Sequence, residues 1–212
     1  MSILVVAAVR QEVAPFLESM NGNKQVVRVL VTGIGSSRTL PTVKKQLQGE
    51  SFRLVISAGF AGATQPDLRV GDLVLASEVL DIASGRRWVP ARFEMKENSD
   101  FTRGRLATLD RPLAAPKEKS KFGARYGTAA VDMETAAVAA AASDAGVPWV
   151  SLRAILDPME VTLAIRSWQE GFTEIIRPWR WGEFRYFLKT IRVAAESLSK
   201  GLTSLIQESQ GR

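Results

Sequence analysis

Two carboxylates stand where chemistry could be done. Glu134 lies in Val131-Asp132-Met133-Glu134, at the opening of an alanine-rich run, and Asp157 follows Trp149-Val150-Ser151-Leu152-Arg153-Ala154-Ile155-Leu156. With Gly146-Val147-Pro148 between them, the pattern predicts a helix, a tight turn and a buried strand. Glu134 then falls in the first helical turn and Asp157 just past the strand's carboxyl end. Sheets of this kind collect reactive groups at strand ends and helix starts, so two acids far apart in sequence can face one pocket. Paired carboxylates divide labour, one binding hydroxyls and the other moving a proton. An acid near a helix N-terminus is also favoured by the helix dipole alone.

Composition narrows the chemistry. The 212 residues suffice for one domain with a full core, and 46% of them are hydrophobic. There is no cysteine and no histidine. That removes disulfides, thiolate nucleophiles, Ser-His-Asp triads and the commonest metal ligand. Acid–base work must fall to Asp, Glu, Lys, Tyr or water. Ile3-Leu4-Val5-Val6-Ala7-Ala8-Val9 is too short to span a bilayer and lacks a basic leader, so it reads as a first buried strand of a cytoplasmic protein. The net charge is +6. Much of the excess lies in Arg103 to Arg125 and in Arg177 to Arg192, as a solvated surface or as a face for phosphate, nucleic acid or an anionic membrane.

Strands alternate with helices, which predicts a three-layer α/β/α sandwich around a central mixed sheet in a single domain, residues 1–212. Strands are expected at residues 3–9, 25–32, 54–57, 70–79, 106–109 and 149–156. Helices are expected at 11–19, 38–47, briefly after Ala115, and at 129–145. The segment of about 165–208 is aromatic and then amphipathic: Phe184, Phe187, Leu188, Ile191, Ala195, Leu198, Leu202 and Leu205 recur at helical spacing.

Two glycine clusters follow strands. Gly33-Ile34-Gly35 is not a dinucleotide fingerprint, since Arg38 occupies the third glycine position. It is either a phosphate cradle or a tight strand-to-helix turn. Ser57-Ala58-Gly59-Phe60-Ala61-Gly62-Ala63 reads as a turn whose small residues let backbone N–H groups approach a ligand. Asp72 reads as a turn residue.

The spacing of Met133-Glu134 and Asp157, with both glycine clusters, resembles the nucleoside phosphorylase and methylthioadenosine nucleosidase family. The resemblance implies that Glu134 grips ribose hydroxyls, with Met133, Gly59 and Phe60 beside the substrate, and that Asp157 protonates the purine. It implies either of two nucleophiles. Glu12 would activate water in a nucleosidase; Arg10, with Gly33 and Gly35, would hold phosphate in a phosphorylase, where phosphate is a co-substrate. Many members carry a serine where Phe60 stands, so that hydroxyl is missing here. The family's nucleosidases place a phenylalanine after the strand mapped to 106–109, where this chain has Arg111, Pro112 and Leu113. Protonating the base makes it a better leaving group from an oxocarbenium-like ribosyl cation, and burial must raise the pKa of Asp157 for it to carry a proton. No metal or redox cofactor is called for.

Arg153-Ala154-Ile155-Leu156-Asp157-Pro158, Arg177-Pro178-Trp179 and the final amphipathic helix resemble the hopanoid-associated branch. Its implied reaction releases adenine from adenosylhopane in hopanoid biosynthesis. The expected partner is then a small nucleoside carrying a lipid tail. The basic aromatic C-terminal segment suits the inner face of a membrane, a homo-oligomer interface or the core. Rival expectations are a methylthioadenosine- or futalosine-type hydrolase and a non-catalytic nucleotide or nucleic-acid binding module. The second lacks interleaved basic and aromatic RNA motifs, so no specific nucleic acid is expected.

Overall fold

The computed structural model describes residues 2–20, 27–92, 101–162 and 181–210, with the side chains of 181–187 and 210 outside the description. The chain begins with β1 (Ser2–Ala7), α1 (Arg10–Ser19), β2 (Val27–Val31), α2 (Ser36–Gly49) and β3 (Phe52–Ala63). Strands β4 (Leu73–Asp81), β5 (Arg87–Trp88) and β6 (Phe101–Thr108) follow, then α3 (Pro116–Tyr126) and β7 (Ala130–Asp132). Helix α4 (Thr135–Asp144), strand β8 (Trp149–Asp157) and the long α5 (Trp181–Gln210) complete it.

The sheet has eight strands, and its order shows why the site can exist. On one side β2, β1 and β3 run parallel. Beyond β3 the sheet bends into a ring: β3 pairs β8, β8 pairs β4, β4 pairs β6, β6 pairs β7, and β7 returns to β3. Strand β8 is parallel to β3 and antiparallel to β4, so the sheet is mixed as expected. Alternation along β1 separates two cores. Leu4 and Val6 join Val43 of α2 and Val138 and Ala142 of α4. Ile3, Val5 and Ala7 join Val13 and Phe16 of α1 and Leu198, Leu202 and Leu205 of α5. This is the three-layer arrangement the alternating pattern predicts.

Three expectations need correction. The helix read from Ala129 begins only at Thr135, because Ala130 and Val131 pair with β6 and β3 and close the ring. Strand pairing there outweighs alanine's helix propensity. The Ser57–Ala63 cluster is not a turn but the second half of a twelve-residue strand. Gly59 answers a packing demand: a Cβ there would stand 2.7 Å from Oε1 of Glu12 and in collision with Arg153. Lys119, read as part of a basic surface, is fully buried.

The amphipathic reading of α5 holds from Ala195 onward, where Ala195, Leu198, Leu202 and Leu205 are core. The aromatic residues Trp168, Phe172, Trp179, Trp181, Phe184 and Phe187 lie outside the described residues or side chains. Among the described residues, no helix is long and apolar enough to cross a membrane.

Candidate active site

Each acid is set by the element that carries it. Glu12 lies in the first turn of α1, and its side chain turns back over the helix start. Oε2 accepts the N–H groups of Ala8 at 2.8 Å and Val9 at 3.0 Å, while Oε1 accepts the N–H of Phe60 on β3 at 2.9 Å. Burial is the main cause of its raised pKa, against the nearby Arg153 charge and those N–H donors.

Glu134 is the cap residue of α4, one position before the helix, but its carboxylate does not cap. It reaches across to α2 and accepts the N–H of Gly35 at 2.7 Å. Ser36 donates to the carbonyl of Met133 at 2.9 Å, so a second bond ties the same two loops together. Gly33 and Gly35 have φ of +85° and +95°, which glycine tolerates where other residues are strained. Burial first, and then the charge of Asp132, lifts Glu134 to a pKa of about 7, with Arg153 and the Gly35 N–H pulling it down.

Asp157 ends β8 opposite Gly62, just after a break in register between Ala61 and Gly62. The irregularity re-aims the last side chain of the strand, a common device beside active sites. Its Oδ2 is 2.6 Å from Nζ of Lys119 on α3. Burial nevertheless dominates and raises the Asp157 pKa to about 6, with Lys119 opposing. The carboxyl is thereby brought toward neutral pH, where it can give as well as take a proton.

Beneath these acids lies a buried network that sequence reading missed. Arg153 rises from the middle of β8 and is 2% exposed. Its Nε donates to Oδ2 of Asp132 at 2.7 Å, Nη2 pairs ionically with the same oxygen at 2.6 Å, and Nη2 donates to Ser57 at 2.9 Å and Thr135 at 2.6 Å. Asp132 further accepts from the hydroxyls of Thr135 and Thr108 and from the N–H of Thr135, so it caps α4 from outside the helix. A charged residue inside an otherwise apolar strand was the available signal, since buried charge must be paired. Nothing local distinguished Lys119 from its basic neighbours Lys117 and Lys121.

One cavity gathers these groups. Glu12, Asp132, Glu134 and Asp157 line it, with Met133, Phe60, Val9, Ile34 and Ile191, and its volume is about 220 Å³. Arg111, Pro112 and Leu113 form part of its wall, in the loop where the family's nucleosidases have an aromatic residue. Gly59 is buried behind the wall against Glu12 and Arg153. Arg10 is exposed at the start of α1, and neither it nor Gly33 or Gly35 is among the lining residues. Among the described residues, no cluster of three or more acidic side chains is spaced to hold a metal ion.

The acids differ in what perturbs them. Glu134 feels the charges of Glu12 and Asp132, whereas the Asp157 shift has burial and Lys119 as its only causes. A cavity lined by Glu12, Asp132, Glu134 and Asp157 fits the nucleoside phosphorylases and nucleosidases, enzymes that break N-glycosidic bonds. Residues 8–177 match the model of the phosphorylase superfamily, and the chain belongs to that family.

Among curated relatives, a 5'-methylthioadenosine/S-adenosylhomocysteine nucleosidase of Anoxybacillus flavithermus is 26% identical, the match covering 74% of this chain and 85% of that protein. The Geobacillus kaustophilus enzyme of the same name is 27% identical, covering 74% and 84%. The fold is shared with the Helicobacter pylori 5'-methylthioadenosine/S-adenosylhomocysteine nucleosidase at a TM-score of 0.75, 19% identity and 98% coverage of both chains. It is also shared with the futalosine hydrolase of that organism at a TM-score of 0.71, 21% identity and 98% coverage of both chains.

Proposed function

We propose that this enzyme hydrolyses the N-glycosidic bond of a purine nucleoside and releases adenine. The observation that carries the reading is the convergence of Glu12, Glu134 and Asp157, from three separate elements, on one cavity. Glu134 accepts hydrogen bonds from the 2'- and 3'-hydroxyls. Asp157 gives its proton to N7 as the bond from C1' to N9 breaks and its electrons enter the purine. Water attacks the opposite face of C1', and Glu12 takes the proton that water loses. The raised pKa of Glu12 suits a base. Water is favoured over phosphate because Arg10 stands outside the cavity lining and the Gly35 N–H already serves Glu134.

The finer reading is that the 5'-carbon bears a large apolar group and that the natural substrate is adenosylhopane, in hopanoid biosynthesis. It rests on the sequence around Arg153–Pro158 and Arg177-Pro178-Trp179, and the apolar Val9, Ile34 and Ile191 in the cavity wall are compatible with it. The similar proteins point instead to methylthioadenosine, S-adenosylhomocysteine or futalosine. One panel tests both levels: these nucleosides, adenosine and adenosylhopane, each with and without phosphate, scored for free base. Adenine release independent of phosphate supports hydrolysis, and the highest kcat/KM names the 5'-group. Base release only with phosphate would overturn the role of Glu12, and release from none would overturn the function.

A further inference from the structure

We propose that Lys119 is the positioning residue of the catalytic acid: it holds one carboxyl oxygen of Asp157, leaves the other to the purine, and supplies the charge that stabilises Asp157 once its proton has gone. The proposal rests on the reading of Asp157 as the proton donor.

Lys119 lies near the start of α3 and is fully buried, stem and ammonium alike. An ammonium has three N–H donors. Three oxygens surround this one: Oδ2 of Asp157 at 2.6 Å, the carbonyl of Pro158 at 2.9 Å and the carbonyl of Val161 at 2.7 Å. A buried charge is tolerable only when so satisfied. The two carbonyls belong to the turn that follows Asp157, itself closed by the Val161 N–H on Pro158 at 3.1 Å. One side chain therefore fixes both the carboxyl and the backbone behind it. Oδ1 of Asp157 has no hydrogen bond among the described residues, and Asp157 lines the cavity.

The helix start that carries Lys119 is braced in turn. Glu118 accepts the N–H of Ala114 at 3.2 Å and pairs with Arg111 at 2.7 Å. The other ionisable groups on the cavity wall are Glu12 from α1, Arg111 from the loop before α3, Asp132 from β7 and Glu134 before α4. None of them contributes to the shift at Asp157, whose opposing causes are burial and Lys119.

The proton balance gives Lys119 its use. Before reaction, a neutral Asp157 sits beside a cation. As the C1'–N9 bond breaks, N7 takes the proton from Oδ1, and the carboxylate left behind becomes half of a buried ion pair. Lys119 keeps its own protons throughout. Its charge thus favours the product side of proton transfer, at the cost of a smaller protonated fraction at rest. A purely structural lysine would hold the turn without moving the pH at which the acid is lost.

The test is the pH profile of kcat/KM for the best nucleoside of the panel, which reports the essential groups of the free enzyme. Lys119→Gln keeps N–H donors for the carbonyls and removes the charge. Its high-pH limb should move up by about one unit or more, because Asp157 loses the charge that lowers its pKa. The rate on the plateau should fall about tenfold or more, since a weaker acid transfers its proton less readily. Lys119→Arg should return the limb toward wild type. Cleavage of 4-nitrophenyl riboside, whose leaving group needs no protonation, should be spared. A limb that does not move in folded Lys119→Gln overturns the proposal.

Should the variant not fold, the 15N resonance of the Lys119 ammonium in the wild-type protein answers the same question. It should show an inflection where the high-pH limb lies, and that inflection should vanish in Asp157→Asn. Its absence from wild type overturns the proposal. If Asp157→Asn itself cleaves purine nucleosides at the wild-type rate, the underlying assignment of the acid fails instead.

Discussion

The carboxylate of Glu134 accepts the N–H of Gly35 across 99 positions of sequence. That bond joins the loop before α4 to the loop before α2 and fixes the direction in which Glu134 can present its remaining lone pairs. Glu134 is therefore held by a residue with no chemistry of its own.

Gly35→Ala tests that link. No atom lies within 4 Å of where the new Cβ would stand, so the effect is conformational and comes from a φ of +95°. Stability should fall by about 1 kcal/mol or somewhat more. KM for the nucleoside should rise as Glu134 loses its anchor. A melting curve and steady-state kinetics on the one variant check both effects, and an unchanged KM would show that Glu134 is held by other means.

Glu134→Gln should fold normally, since an amide oxygen can still accept from Gly35. Losing a charged acceptor for the ribose hydroxyls should cost about 1.5–3 kcal/mol in transition-state binding, read from kcat/KM. A 2',3'-dideoxynucleoside, if cleaved at all, should not distinguish the variant from wild type.

Asp157→Asn keeps the shape and removes the transferable proton. Activity on purine nucleosides should fall by about 10²–10⁴-fold, while 4-nitrophenyl riboside is spared. Equal losses on both substrates would mean that Asp157 only shapes the loop.

Stability should fall as pH rises from about 4 to about 7. Asp157 is raised from 3.8 to about 6, and Glu134 from 4.5 to about 7. In those windows the native state binds more protons than the unfolded chain, so each group's contribution is present at low pH and lost as pH climbs through the folded value. The slope is at most about 1.4 kcal/mol per pH unit for each group. The melting temperature should drop between pH 5 and pH 7.5, and less so in Glu134→Gln. A flat or rising curve would contradict both assignments.

Arg153→Met removes the cation that Asp132 needs. Breaking one half of a buried pair should destabilise by about 3–5 kcal/mol. Arg153→Met with Asp132→Asn should recover part of that loss, because the uncompensated charge goes too. Urea unfolding of wild type, Arg153→Met, Asp132→Asn and the double variant gives the coupling directly.

Sequence alone was enough for the layers and came within a residue of where Glu134 and Asp157 sit, at a helix cap and a strand end. The continuous apolar runs of β1 and β8 and the helical period of α5 each report faces that must be covered, and such patterns are local. The ring was not legible. Ala130 and Val131 look helical among alanines, and only their partners on β3 and β6 make them a strand. Gly59 looked like a turn residue because the demand for a missing Cβ comes from Glu12 and Arg153, both distant in sequence. Lys119 escaped for the same reason: its three acceptors lie 38 to 42 positions downstream, and a lysine's burial has no local signature.

Strand β8, the last of the eight, lies between β3 and β4. Until residues 149–157 leave the ribosome, two long strands present bare edges to each other, and Glu12 and Asp132 have no arginine to face. Pairings this distant in sequence form slowly, and open edges invite strangers. The nascent chain must carry an unfinished sheet through most of its synthesis, and the step that seals those edges is the same one that delivers Arg153 and Asp157 to the cavity.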